Sequence, residues 1–232
     1  MTYRLLCDFD GTVSLCDVTD LLLEAFAEPG WQAIEERWQA GEIGSAACMA
    51  QQVALMRAGR AALDALLDSV RIDPAFPDFV AFCREEGLPL AIVSDGLDYA
   101  IARILAANGI TGVPILANHL DFRPGNRFAM SSPRAAADCG AGAGTCKCAI
   151  AQENALTGQP VVLIGDGRSD FCVSNRVDFV FAKDRLVEYC GENGIPHHAF
   201  EGFAEVAPVL LRLLAMPVPR LDEALATGQG ER

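Results

Sequence analysis

The chain is short of positive charge and of long apolar runs, and it contains no internal repeat or low-complexity block. Against 31 aspartates and glutamates stand 18 lysines and arginines, a formal net charge of -13. That balance excludes a generally basic nucleic-acid binder. It does not exclude an anionic substrate, because a local pocket can oppose the net charge. No apolar run approaches the roughly 20 residues of a membrane span. The opening MTYRLLCDFDGT carries too short an apolar stretch before its carboxylates to read as an export signal. The nine cysteines are odd in number, scattered, and include no C-x-x-C pair. Reduced thiols in a cytoplasmic protein are the expectation, with neither membrane nor nucleic acid as partner. What the chain does have is apolar residues, 51% of 232. That is enough for one large domain, or a domain with an insert, whose core needs no disulfide or structural metal.

Three short apolar runs each end in a polar, acidic turn: Tyr3–Cys7 before DFDGT, Leu88–Val93 before SDG, and Val161–Ile164 before GDGRSD. Short buried runs bounded by Gly or Asp read as parallel strands. Phe179–Ala182 and Pro114–Ala117 are weaker strand candidates. Helical patterns lie between them. Ala75–Glu86 follows Asp73-Pro74, an N-cap with proline in the first turn, and stops before Gly87. Leu97–Asn108 stops before Gly109, and Lys147–Thr157 before Gly158, both glycines placed to end a helix. Alternation of strand and helix predicts an α/β fold with a Rossmann-like parallel sheet, whose ligands bind beyond the carboxyl ends of the strands. All three acidic turns fall there.

Residues 14–70 break the alternation with four helical patterns and no strand-like run: Asp17–Ala27, Trp31–Ala40, Ser45–Ala58 and Arg60–Val70. Asp17 and Asp20 are spaced like a capping box, and Ser45 is placed as an N-cap. The expectation is a small helical-bundle cap inserted after the first strand, with residues 1–13 and 71–232 forming the core. Pro124-Gly125-Asn126 predicts a hairpin within Asn118–Arg134. From about Pro217 the chain reads as a loosely held tail.

At a strand end Asp8 and Asp10 point to one side and Phe9 to the other. Two carboxylates beside a glycine turn suit a divalent cation. They also suit a division of labour between nucleophile and acid/base. Alone, a D-x-D-G string reads equally well as an ordinary turn with solvated aspartates. The other turns change that. GDGRSD puts Asp166 and Asp170 at a second strand end, VSDG puts Ser94 and backbone N–H groups at a third, and Lys147 opens a helix with one cation.

In order, spacing and strand context these turns resemble the motifs of the haloacid dehalogenase superfamily of phosphatases, and the resemblance covers most of the chain. It implies Asp8 as nucleophile, Asp10 as acid/base and Lys147 as the neutralising charge. Ser94, Asp95, Gly11 and Thr12 would surround the phosphate. Mg²⁺ would be held by Asp8, Asp166 and the main-chain carbonyl of Asp10, with Asp170 orienting a metal-bound water or Lys147. The helical insert resembles the cap of the phosphoserine-phosphatase-like branch. Within that branch DVTDLLLEAFA, GEIGSAACMAQQVAL, ILANHLDF and GAGTCKCAIA are most similar to phosphatases of methionine salvage, which act on a hydroxy-keto-methylthiopentenyl phosphate. The implied partner is a small phosphorylated metabolite, and the implied assembly a monomer or homodimer.

The cap is expected to set specificity. Asp17 falls where phosphoserine phosphatases meet the substrate ammonium, and Gln52 where an arginine meets its carboxylate. A neutral amide cannot replace a bidentate arginine, which disfavours phosphoserine unless Arg37 or Arg57 substitutes. Alternatives are a phosphoserine phosphatase, a non-catalytic phosphometabolite binder on the same fold, or a thiol-based metal or redox protein built on Cys139, Cys146 and Cys148. Those three cysteines read better as packing, with a Cys139–Cys146 disulfide disfavoured in a reducing compartment. Gly140–Gly144 reads as a flexible loop. Trp31 and Trp38, seven apart, read as packing rather than a stacking platform, and His197 and His198 as structural or exposed.

Overall fold

The computed structural model describes residues 3–215, so the tail expected from Pro217 lies outside the described residues. A seven-stranded sheet runs β4-β3-β2-β1-β5-β6-β7. Its strands are β1 (Arg4–Cys7), β2 (Leu90–Leu97), β3 (Ile115–Arg123), β4 (Arg127–Ser131), β5 (Val161–Gly165), β6 (Phe179–Ala182) and β7 (His197–Ala199). Every neighbouring pair is parallel except β3 and β4, which form the expected hairpin. Gly125 and Asn126 turn it with φ of 75° and 57°, a backbone region that only Gly and a few polar residues enter readily.

Strand alternation sends side chains to two layers. On one face Leu5, Cys7, Ile92 and Val162 pack beneath α5 (Phe76–Glu85), α6 (Asp98–Ala107) and α10 (Phe203–Ala215). On the other, Leu6, Val93 and Leu163 pack beneath α7 (Lys147–Ala155), α8 (Phe171–Ser174) and α9 (Asp184–Glu192). Phe76 and Phe203 meet edge to face at 4.7 Å, joining α5 to α10. Phe76 is fully buried, so its truncation to alanine costs about 3–5 kcal/mol.

Between β1 and α5 the chain forms α1 (Val18–Phe26), α2 (Trp31–Gln39), α3 (Ser45–Leu55) and α4 (Arg60–Asp68). Their apolar faces, through Leu22, Val53, Leu63 and Leu67, join the first of the two buried layers. Two capping expectations need correction. Gly44, not Ser45, caps α3, because the Ser45 hydroxyl is engaged elsewhere. Ala75 occupies the cap position of α5, and Asp73 instead receives the N–H groups of Ala75 and Phe203, fastening α5 to α10. Asp17 does cap α1, accepting from Asp20 N at 2.9 Å. The terminating glycines Gly87, Gly109 and Gly158 all adopt positive φ.

Candidate active site

Three central strands, β1, β2 and β5, bring their carboxyl ends together, and the acidic turns converge there. Asp8 follows β1, its N–H held by Ile164 O at 2.9 Å. Its Oδ1 accepts from Phe9 N at 2.8 Å. Its Oδ2 lies 2.7 Å from Lys147 Nζ and accepts from Ser169 Oγ at 3.1 Å. The carboxylate is therefore fixed in orientation before any ligand arrives. Lys147, at the first position of α7, also reaches Asp170 Oδ1 at 2.7 Å and Ser169 Oγ at 2.9 Å. Burial alone would lower the Lys147 pKa, but attraction to Asp170 and Asp8 and hydrogen bonds to both raise it above its usual value. The ammonium stays charged.

Asp166 ends β5. Its Oδ1 accepts from Thr12 Oγ1 at 2.7 Å, so the Thr12 hydroxyl supports Asp166 where the resemblance had it at the phosphate. A side chain at Gly11, which has φ of 74°, would strike the Asp166 carboxylate. Lys183 Nζ donates to Gly11 O at 3.0 Å and holds that turn from β6. Asp10 borders the same cavity as this cluster but is held by other partners. Its Oδ1 accepts from Val18 N, at the start of α1, at 2.9 Å. A Cβ on Gly96 would come within 2.7 Å of its Oδ2 and 3.1 Å of Ser94 Oγ. Enclosure, then Asp17, pushes the Asp10 carboxyl well above the ordinary carboxylate range, against the pull of the Val18 N–H.

Asp8, Asp166 and Asp170 each offer an oxygen within 4.8 Å of the others. Burial, then Asp8, pushes Asp166 up to about 6. Three acidic groups against one ammonium leave an uncompensated negative cluster with all-oxygen donors, which fits a hard divalent cation. Asp170 is the odd member, since its Oδ1 is engaged by Lys147.

Above these groups opens a cavity of about 770 Å³, walled on the far side by α1–α3 and the loop before α7. A description of haloacid dehalogenase-like hydrolases matches residues 5–174 of the chain. The chain belongs to that family. It is a phosphatase, and this hydrolase has relatives along nearly its whole length. Proteins described as 2-hydroxy-3-keto-5-methylthiopentenyl-1-phosphate phosphatase from Geobacillus kaustophilus and Brevibacillus brevis are each 32% identical to it. The matches cover 90% and 89% of this chain and 96% and 94% of theirs. A phosphoserine phosphohydrolase-like protein of Francisella tularensis shares the fold with a TM-score of 0.66 at 17% identity, covering 90% of this chain and 99% of that one. A substrate-bound phosphoserine phosphatase shares it at 0.61 and 17%, covering 82% and 90%.

The cap-side wall of this hydrolase departs from several expectations. Gln52 does line the cavity, but its amide is taken: Nε2 donates to Glu35 Oε2 at 3.0 Å. Arg37 lies at the surface with Glu42, and Arg57 pairs with Glu28 at 3.0 Å. Neither lines the cavity, which removes both as substitutes for an arginine at position 52. Asp17, Asp20 and Glu35 all border it. Water reaches Asp17, yet the surrounding protein raises its pKa. Enclosure, then Asp17 and Glu35, pushes Asp20 up to about 6. Trp38 is not simple packing: the Arg168 guanidinium lies over its ring at 4.8 Å.

Asp95 also needs correction. Its carboxylate accepts from Ser45 Oγ at 2.6 Å, Thr145 N at 2.9 Å and Asn118 Nδ2 at 3.1 Å. It ties α3, β3 and the loop before α7 together at the border of the cavity, so the carboxylate itself is already engaged. That loop, expected to be flexible, docks on α3, with Ala46 N bonded to Gly142 O at 2.9 Å. The thiols near Lys147 are free, and the described residues group none of them as a metal site. Ser169, Glu35, Asn118 and Thr145 were not foreseen. Ser169 lies inside GDGRSD, Thr145 inside GAGTCKCAIA and Asn118 inside ILANHLDF, so three of the four stood in segments that carried the resemblance, and Glu35 alone had no such signal. Thr145 lines the cavity and carries a buried hydroxyl with no partner among the described residues.

Proposed function

We propose that this phosphatase is a Mg²⁺-dependent phosphomonoesterase working through an aspartyl-phosphate at Asp8. The observation that carries this reading is the pair of unlike carboxylates on one cavity: Asp8, pinned by Lys147 at 2.7 Å, and Asp10, held by the Val18 N–H with a raised pKa. Unlike environments assign unlike roles. An Asp8 oxygen attacks phosphorus as the bond to the substrate oxygen breaks, and the protonated Asp10 gives its proton to the leaving alkoxide. Water then attacks the phosphoryl group. Asp10 takes its proton, and Asp8 is released as carboxylate with inorganic phosphate. Ser94 and Lys147 receive phosphate oxygens, and Gly11 keeps the turn close. A phosphate oxygen would also relieve the unpartnered Thr145 hydroxyl, whose burial costs about 1–3 kcal/mol. Mg²⁺, held by Asp8, Asp166 and the main-chain carbonyl of Asp10, would supply charge neutralisation on the phosphoryl oxygens. Asp170 and Ser169 position Lys147.

Residues 14–70 act as a cap over a core that comprises 3–13 and 71–215 of the described residues, and the cap reads the non-phosphate end. Asp17, Asp20 and Glu35 offer acceptors there, and Gln52 is already bonded to Glu35. Such a wall repels a carboxylate and accepts hydroxyl hydrogens, so a neutral keto or polyol phosphate of the methylthiopentenyl type suits it better than phosphoserine. The names of the relatives at 32% identity support the same substrate class. The test is a screen of phosphorylated metabolites with excess Mg²⁺. A keto or polyol phosphate should lead it in kcat/KM, and phosphoserine at its head would overturn the substrate reading.

A further inference from the structure

Two cysteines with no part in the proposed chemistry stand directly beside it. Cys148 follows Lys147 in the first turn of α7, and Cys172 lies two residues after Asp170 in α8. Their sulfurs are 3.3 Å apart, the Cys148 thiol donating to Cys172 Sγ. Cys172 is exposed and Cys148 is buried behind it. An accessible sulfur backed by a second thiol within reach is the arrangement that oxidation-sensitive sites share.

We propose that Cys148 and Cys172 are a modification site, closing to a reversible disulfide under peroxide and switching the phosphatase off. Cys172 Sγ attacks one oxygen of hydrogen peroxide. The O–O bond breaks, the thiol proton goes to the departing hydroxide, and a sulfenic acid and one water result. Cys148 Sγ then attacks that sulfur. The S–O bond breaks, and the hydroxide leaves with the Cys148 proton as a second water. Two thiols and one peroxide thus give one disulfide and two waters, and an added dithiol returns the pair to its reduced state. Burial pushes the Cys148 thiol up to about 12, consistent with its reacting second.

The bond is felt at Lys147 because the two cysteines sit on the elements that hold it. A disulfide has a sulfur separation of about 2.05 Å, so the start of α7 and α8 must adjust towards each other. Lys147, one residue from Cys148, spans Asp8, Ser169 and Asp170 with contacts of 2.7 to 2.9 Å. A displacement of about 1 Å at such a constellation costs on the order of 10²-fold in rate. A Cys139–Cys146 bond would close within the preceding loop and leave α7 and α8 unbridged.

The experiment treats the full chain, with Mg²⁺, with graded hydrogen peroxide. Each sample is split between para-nitrophenyl phosphate turnover and non-reducing peptide mapping by mass spectrometry. The Cys148–Cys172 linked peptide should rise in step with a fall in kcat of about tenfold or more, and dithiothreitol should reverse both. Cys172→Ser should keep its basal turnover and resist peroxide; Cys148→Ala serves if the first variant folds poorly. Equal inactivation of a folded variant, a dominant Cys139–Cys146 link, or a Cys148–Cys172 link without change in kcat would each overturn the proposal.

Discussion

The floor of the cavity and its cap-side wall are built on different plans. On the floor nearly every charged side chain has a bonded partner, though negative charge is left over: Lys147 meets Asp8 and Asp170, Asp166 meets Thr12, and Asp10 meets the Val18 N–H. On the wall, Asp17, Asp20 and Glu35 face one another across the same space. Among the described residues, the lining holds one cation besides Lys147, and that one, Arg168, is stacked on Trp38. On the proposed function the floor is organised for one chemical event and is completed by a cation and a phosphate. The wall is an excess of acceptors, and on the same reading it specifies more sharply what it refuses, a carboxylate, than what it takes.

The largest effect expected from breaking the floor is at Asp8. Asp8→Asn keeps the shape and removes the nucleophile, so kcat should fall by more than about 10⁴-fold; near wild-type turnover of para-nitrophenyl phosphate would end the covalent mechanism. Stripping divalent cations with excess chelator should likewise silence the enzyme, with recovery on adding Mg²⁺. Asp10→Asn strikes proton transfer alone, for about 10²–10⁴-fold. Because the Asp10 pKa is raised and its protonated form is needed first, wild-type activity should decline as pH rises through that pKa. The variant should lose this limb, and an unaltered pH–rate profile would remove Asp10 from the acid/base role.

Changes to the wall should be smaller and should alter ratios rather than rates. An arginine at position 52 meets Glu35, which already holds Gln52 at 3.0 Å. Gln52→Arg alone should therefore move selectivity little, while Glu35→Gln with Gln52→Arg should shift kcat/KM towards phosphoserine by about 1–3 kcal/mol. If the single change performs as well as the double, Glu35 is not the opposing charge. Smallest in its effect on turnover is Ser45→Ala, which removes one hydrogen bond to a carboxylate. About 1.5–3 kcal/mol of stability should be lost, read as a lower midpoint in denaturant, with turnover affected only through the cap.

The floor was legible because its residues are local. Asp8 and Asp10, or Asp166 and Asp170, sit within a few positions of one another at strand ends, and backbone geometry alone fixes their relation. The wall was not, because its decisive contacts join residues far apart: Glu35 with Gln52, Trp38 with Arg168, Ser45 with Asp95. Adjacency also misled. Asp95 follows Ser94, but neighbours on a strand point to opposite sides, and its carboxylate serves the cap. The sheet core and four-helix insert followed from periodicity. By contrast, α9 and α10 were passed over although both are strongly amphipathic, the latter holding Pro208 within its span.

Ser94 and Asp95 give one strand two loads. On the proposed reading the first looks onto the phosphate seat, and the second carries α3 through Ser45 and the loop before α7 through Thr145. If a phosphate in that seat shifts the Ser94–Asp95 backbone, its occupancy is coupled to attachment of the wall, and such coupling is reciprocal. Whatever factor by which inorganic phosphate tightens the docking of α3, a firmly docked α3 must tighten phosphate by the same factor. The coupling free energy between product retention and wall stability is then a single quantity, readable from either end of a dipeptide.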